Sequence, residues 1–257
     1  MLKIPDILNN TSFYDAELDY KWDRKMVTDW DDKVSNYKLF NIFLKLNHKA
    51  SIGMAAALAE WIYWRLHTKD NIDILSKHIE TLWVSLIDKR YVKKWEYDFI
   101  PGERDKIHGV KTIALHSLEM SNSNYLDGAY NISAELDGQA MLARYICPDK
   151  KLFDTWLENC IRKLTPLFPV EYDRDNPSEY NKNDDPYYDS SHEQPIPREF
   201  FFSPDFEFTS KNTQEALDNF LINLSYKDND LLNTPETMLA EGFIGTPYRY
   251  GGESNGL

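Results

Sequence analysis

The stretch "ASIGMAAALAEWIYWRL", Ala50 to Leu66, decides how this chain folds. Between Lys49 and Arg65 lie fifteen residues of which only Ser51 and Glu60 are polar, whereas crossing the hydrocarbon layer of a membrane takes about 20 apolar residues. The stretch is too short to span, and Glu60 near its middle, with "LNHK" just before it, makes insertion costlier. Read as a helix, it repeats Ile52, Ala55, Ala56, Ala59, Ile62 and Leu66 at steps of three and four, while Met54, Leu58, Trp61 and Tyr63 fill much of the remaining circumference. A helix apolar on nearly every side belongs at the centre of a bundle. Its first half, Gly53 to Ala59, is small and lets neighbouring backbones approach; its second half, with Trp61, Tyr63 and Trp64, fills the wider space beyond. Glu60 then needs a buried partner. A lysine or arginine from a neighbouring helix would serve, and a catalytic acid of raised pKa is the alternative.

Further helices are expected on both sides. "DDKVSNYKLFNIFLKLNHK" carries Val34, Tyr37, Leu39, Phe40, Phe43, Leu44 and Leu46 on a broad stripe, with Asp31 or Asp32 as cap. "DNIDILSKHIETLWVSLIDKRYV" starts at Asp70 or Asn71 and ends in basic residues, as the helix dipole prefers. "ERDKIHGVKTIALHSLEMSN" and "YLDGAYNISAELDGQAMLARYI" read as a pair that Gly109, Gly128 and Gly138 weaken. "PDKKLFDTWLENCIRKLTPLF" stops before Pro166 or Pro169, and one earlier helix runs from about Phe13 to Met26. With six or seven helices before residue 168, no alternating strand pattern and no fixed-period repeat, the fold class is all-α: a compact multi-helix bundle or a short stack of helical hairpins.

The composition shifts at Val170. From Glu171 to Glu193 there are eight acidic residues (Glu171, Asp173, Asp175, Glu179, Asp184, Asp185, Asp189 and Glu193) against Arg174 and Lys182, a local charge of −6. Tyr172, Tyr180, Tyr187 and Tyr188 are interleaved with them, and Pro177, Pro186, Pro195 and Pro197 make the segment a long loop. "REFFFSPDFEF" should lie back against the bundle as an extended aromatic strap. "NTQEALDNFLINLSY" and "TPETMLAEG" close the chain as helices before a loose tail, "GGESNGL". The expected organisation is one domain: a helical core over 1–170, an acidic and aromatic segment packed on it over 171–208, and C-terminal helices with the tail over 209–257.

Charge narrows the function. The 257 residues hold 42 acidic and 29 basic side chains, a net charge of −13, which repels nucleic-acid phosphates and anionic lipid and favours a basic partner. Keeping the chain dispersed is the plainer use of the same charge. The two cysteines, Cys147 and Cys160, form no CxxC pair, so a reducing cytoplasm is expected, and "MLKIPDILNNTSFYDAELDYKW" reads as neither secretory signal nor transit peptide. No P-loop, GxGxxG, HExxH, GxSxG or EF-hand pattern is present, and no cofactor is expected.

Two enzymatic readings stand beside these exclusions. His108, His116 and Glu119 share one helix face if Gly109 leaves it unbroken, and would be the start of a metal-dependent hydrolase site with ligands from elsewhere. "RDKIH", Arg104 to His108, is similar to the Arg-polar-x-x-x-His motif of helical HEPN-type ribonucleases but is one residue short. "DWDD", with Asp29, Asp31 and Asp32, reads as a helix cap before it reads as a cation site.

The small-then-aromatic helix at Ala50 to Leu66, in an acidic all-helical chain ending "GTPYRYGG", resembles the helical proteins encoded beside secreted antibacterial toxins and regarded as their immunity proteins. The resemblance implies a non-enzymatic inhibitor that stays in the producer's cytoplasm and binds one toxin, blocking its active site or substrate surface; a secretion adaptor or chaperone is the neighbouring alternative. It carries no catalytic residues. From the residues themselves, aromatic area beside charge marks Asp184, Asp185, Tyr187, Tyr188, Asp189 and Glu193 as the candidate partner-binding set, with a basic protein as the partner and neither nucleic acid nor membrane bound.

Overall fold

A computed structural model describes residues 2–23, 36–96, 105–128, 132–170 and 188–250. Among them are ten α-helices and no strand. They are α1 (Thr11–Tyr14), α2 (Tyr37–Phe43), α3 (His48–Leu66), α4 (Asp73–Ser85), α5 (Lys106–Leu126), α6 (Ser133–Ile146), α7 (Lys150–Leu167), α8 (Arg198–Phe202), α9 (Ser210–Asn223) and α10 (Pro235–Ala240). No helix among the described residues is long and apolar enough to cross a membrane. The chain is an all-α bundle with α3 at its centre: every residue of α3 is buried, and α4, α5 and α6 pack around it.

The two halves of α3 meet different neighbours. A Cβ on Gly53 would stand 2.8 Å from Cζ of Phe201, so the gap left by the small half admits an aromatic ring where a backbone was expected. In the large half Trp61 meets Phe13, Phe153 and Trp156 with ring centroids 5.1–5.4 Å apart. Each such buried side chain contributes about 1.5–3 kcal/mol.

Glu60 is fully buried and has the partner its position demands. Arg198 donates from Nε to Oε1 at 2.5 Å and from Nη2 to Oε2 at 2.6 Å. The indoles of Trp83 and Trp64 donate to the same two oxygens at 2.8 and 3.0 Å, and Arg198 Nη2 also reaches the Lys3 carbonyl at 2.5 Å. The carboxylate is thereby both paired and hydrogen-bonded, the condition under which a buried charge is tolerated.

Several boundaries differ from expectation, for identifiable reasons. Of the helix expected from Phe13 to Met26, the described part, up to residue 23, contains only the end of α1; the carbonyls of Asp15, Ala16, Glu17 and Leu18 instead accept from Lys69, Arg65, Arg65 and Lys106. Residues 24–35, with the proposed caps Asp31 and Asp32, lie outside the described residues, and Asn36 caps α2 by accepting from Leu39 N at 3.2 Å. The stripe that reads through to Lys49 breaks at residues 44–47, because Leu46 bridges Pro169 and Asn47 opens α3. Gly109 lies inside an unbroken α5, and Gly138 inside α6. Pro166 falls in the last turn of α7, where the loss of one amide ends the helix at Leu167 without shortening it further.

The aromatic strap is not extended over its first part: Arg198–Phe202 is helical. Three consecutive phenylalanines explain this, since an extended chain would turn the middle one to the opposite side, whereas a helical turn spaces them around its axis. Phe200 meets Phe168, Phe201 meets Trp83, and Phe202 stacks on Trp156. A smaller apolar cluster lies beneath the C-terminal helices, built from Val84, Tyr91, Leu221, Leu232, Met238 and Tyr248. Tyr248, from the terminal "GTPYRYGG", donates its hydroxyl to the Asn233 carbonyl and its amide to the Tyr91 hydroxyl.

Replacing Glu60 with Leu leaves Arg198 and two indoles without their acceptor and is expected to cost about 3–5 kcal/mol. Adding Arg198→Met should recover part of that loss, a coupling read from a double-mutant cycle of urea unfolding. Additive losses would show that the pair does not act as a unit.

Candidate functional site

The N-terminus of α3 gathers the residues that flank the acidic segment. Asn47 is the N-cap, its side chain accepting from Ala50 N at 2.9 Å while its carbonyl accepts from Ser51 N at 3.0 Å. That leaves the amides of His48 and Lys49 to be satisfied from elsewhere. Glu193 does so: Oε1 accepts from His48 N at 3.2 Å and Oε2 from Lys49 N at 2.8 Å. An anion at this end also meets the positive pole of the helix dipole, worth up to about 2 kcal/mol when partly buried.

Both ends of the acidic segment attach at this place. On the outgoing side Asn47 N donates to the Phe168 carbonyl at 3.0 Å, and Val170 N donates to the Lys45 carbonyl at 2.9 Å. On the returning side the Tyr188 ring stacks on His48, with centroids 4.6 Å apart and planes 20° from parallel. Tyr188 N donates to the Gly128 carbonyl at 3.1 Å. Gly128 has φ of +70°, and a Cβ there would sit 2.4 Å from the Tyr188 carbonyl oxygen, so only glycine fits this junction. The stem of the segment is thus fixed by residues 45–49 and 128.

Two lysines sit in this stem. Lys49 is buried, and burial pulls its ammonium down to about 8 despite the attraction of Glu193, Asp88 and Asp189; Lys89 beside it pushes the same way as burial. Lys89 is itself lowered by burial, against the pull of Asp189, Glu193 and Asp127, and its Nζ lies 4.7 Å from the centre of the Tyr125 ring. Glu193 is raised by burial, opposed by the two helix amides.

Among the six residues of the partner-binding set, Asp184, Asp185 and Tyr187 lie outside the described residues. Tyr188 is half-buried in the stack on His48, and its hydroxyl lies 3.1 Å from His192 Nε2. Asp189 is exposed and accepts from the Ser191 amide and hydroxyl at 2.9 and 3.0 Å, which holds its carboxyl below the usual range. Glu193 is buried against the α3 N-terminus. Asn47 is not among the caps named from sequence, although a polar residue ahead of an apolar run is the signal that finds it, and no local signal joins Glu193 to amides some 145 residues earlier.

Of the residues in the enzymatic readings, His108 and His116 do not come together. Along α5, His108 and His116 stand eight residues apart, about 12 Å at 1.5 Å per residue. His108 faces Asp70 at 3.2 Å and Asp105 at 3.1 Å, whereas His116 pairs with Glu119 at 3.5 Å. No group of three or more His, Cys, Asp or Glu side chains among the described residues could hold a metal ion. Arg104 lies outside the described residues.

No family model, curated protein or solved structure matches this chain.

The stem should report its own charge balance. Between pH 8 and 10.5 the unfolded chain keeps the Lys49 proton that the folded chain has lost, so stability contributed at this site rises with pH across that window. Lys49→Met removes the slope. The stability of the parent protein relative to the variant should therefore increase by about 3 kcal/mol over the window, measured by urea unfolding at stepped pH. Parallel pH profiles would contradict this placement of Lys49.

Proposed function

We propose that this chain is a protein inhibitor: the immunity partner of a secreted antibacterial toxin, acting in the cytoplasm of the cell that makes the toxin. The observation that carries the reading is the anchoring of an acid-rich segment, by both of its ends, on the N-terminus of the central helix. Such a stem fixes where the segment leaves the fold, and interfaces gain affinity when the binding element is held in place before the encounter. Its charge and that of the whole chain, −13, suit a basic partner, speeding association and disfavouring acidic competitors. Toxins that cut nucleic acid commonly line their substrate channel with basic residues.

In this reading Asp184, Asp185, Tyr187, Tyr188 and Asp189 face the toxin, and Glu193 anchors the surface from within. Tyrosines beside carboxylates supply the rigid aromatic area on which interface energy concentrates. Binding covers the toxin's active site or its substrate surface.

The decisive experiment is a tagged pull-down from the native cell under a salt wash, followed by expression of any stoichiometric partner with and without this chain. A partner toxic alone and harmless in company supports the inhibitor. A partner whose toxicity persists indicates an adaptor or chaperone, and recovery of the chain alone overturns the binding class. With that partner in hand, Asp184→Asn with Asp185→Asn should slow association about tenfold at low salt and leave the melting temperature unchanged. Tyr187→Ala should cost about 2 kcal/mol of binding. Unchanged kinetics and affinity in both variants would remove the acidic segment from the interface.

A further inference from the structure

A second feature is independent of the acidic segment. The short helix α8 is held on α7 by polar bonds to its carbonyls: Trp156 Nε1 donates to Phe201 O at 2.8 Å, and Lys163 Nζ donates to Phe200 O at 2.5 Å. Beside this contact runs a cleft of about 210 Å³ between α7, α8 and the N-terminal turn Asp6–Leu8. Ile7, Leu152, Trp156 and Phe202 give it apolar walls, and Arg162 and Lys163 stand at its edge.

The charge here runs against the rest of the molecule. The chain as a whole carries −13, yet no carboxylate lines the cleft among the described residues. The charged neighbours of Lys163 are Arg162 and the thiol of Cys160, and burial pushes that thiol up to about 12, so at neutral pH it offers no negative charge. Lys163 is half-buried with its ammonium against the Phe200 carbonyl and ring; Arg162 is exposed and donates to Asn159 Oδ1 at 3.0 Å. Two adjacent cations in a lining that holds no carboxylate, one of them partly desolvated, form a charge-assisted site for an anion, and Glu158 one turn before Arg162 is the nearest acid along the helix.

We propose that this cleft binds a small hydrophobic carboxylate, its apolar body between Trp156, Phe202 and Ile7 and its carboxylate on Arg162 and Lys163. The size agrees, since an apolar cavity of roughly 150 Å³ already accepts benzene, and the extra space takes a short acidic arm. The occupant is a free monocarboxylate with an aromatic ring or short aliphatic chain. Phosphorylated or highly charged molecules do not suit walls of this composition.

Phenylacetate is the probe, titrated into the full chain by calorimetry, with phenylacetamide as its uncharged counterpart. Saturable phenylacetate binding is expected, with phenylacetamide about tenfold weaker because the charged hydrogen bonds are lost. Arg162→Gln should weaken phenylacetate severalfold, part of the way to the amide's affinity because Lys163 remains, while leaving the amide unaffected. Thr155→Trp, an exposed residue of the cleft wall, should block both ligands. Thermal melts of the two variants matching the parent would separate lost binding from lost fold, and using Arg162 spares the Lys163 bond that helps seat α8. The proposal is overturned by absent binding at millimolar phenylacetate, by equal affinity for acid and amide, or by unchanged binding in either folded variant.

Discussion

Glu60 carries a charge into the most apolar helix of the chain, and leaving it there alone would cost several kcal/mol. Its two oxygens instead collect Arg198, Trp64 and Trp83, and through Arg198 the carbonyl of Lys3. Three segments remote in sequence are thereby given one geometry around one carboxylate. Apolar packing alone is non-directional; these hydrogen bonds fix where Arg198–Phe202 sits, and with it the three phenylalanines that close the bundle over Gly53 and Trp156.

The same helix is governed by a second carboxylate at its N-terminus. Glu193 satisfies two backbone amides and so links the end of the acidic segment to the helix around which α4, α5 and α6 pack. The neighbouring Lys49 and Lys89 balance the acids of the stem while their own charge is weakened by burial.

Local pattern carried the sequence reading a long way for the bundle. The central helix, its neighbours and the need for a basic partner at Glu60 all follow from apolar spacing and from the cost of burying charge. Boundaries failed where a distant residue decided them. Asn47 and Pro169 cut a continuous apolar stripe, Arg65 and Lys106 draw the carbonyls of residues 16–18 away from helical bonding, and three adjacent phenylalanines are ambiguous until the surfaces around them are known. The site was legible only as composition. Acidity and tyrosines mark the segment, but the stack of Tyr188 on His48 and the capping by Glu193 join positions well over a hundred residues apart, which no periodicity encodes.

Val170 and Tyr188 are both fixed beside the N-terminus of α3, one by the Lys45 carbonyl and the other by the His48 ring. Seventeen residues lie between Val170 and Tyr188, and their ends are already held together by bonds that do not involve them. Closing a loop twice as long would add only about 0.6 kcal/mol. On closure entropy alone, a change of length between these two anchors costs the fold little. On the proposed reading, scaffold and recognition sequence are separate stretches of one chain, joined at Val170 and Tyr188, and each can change without the other.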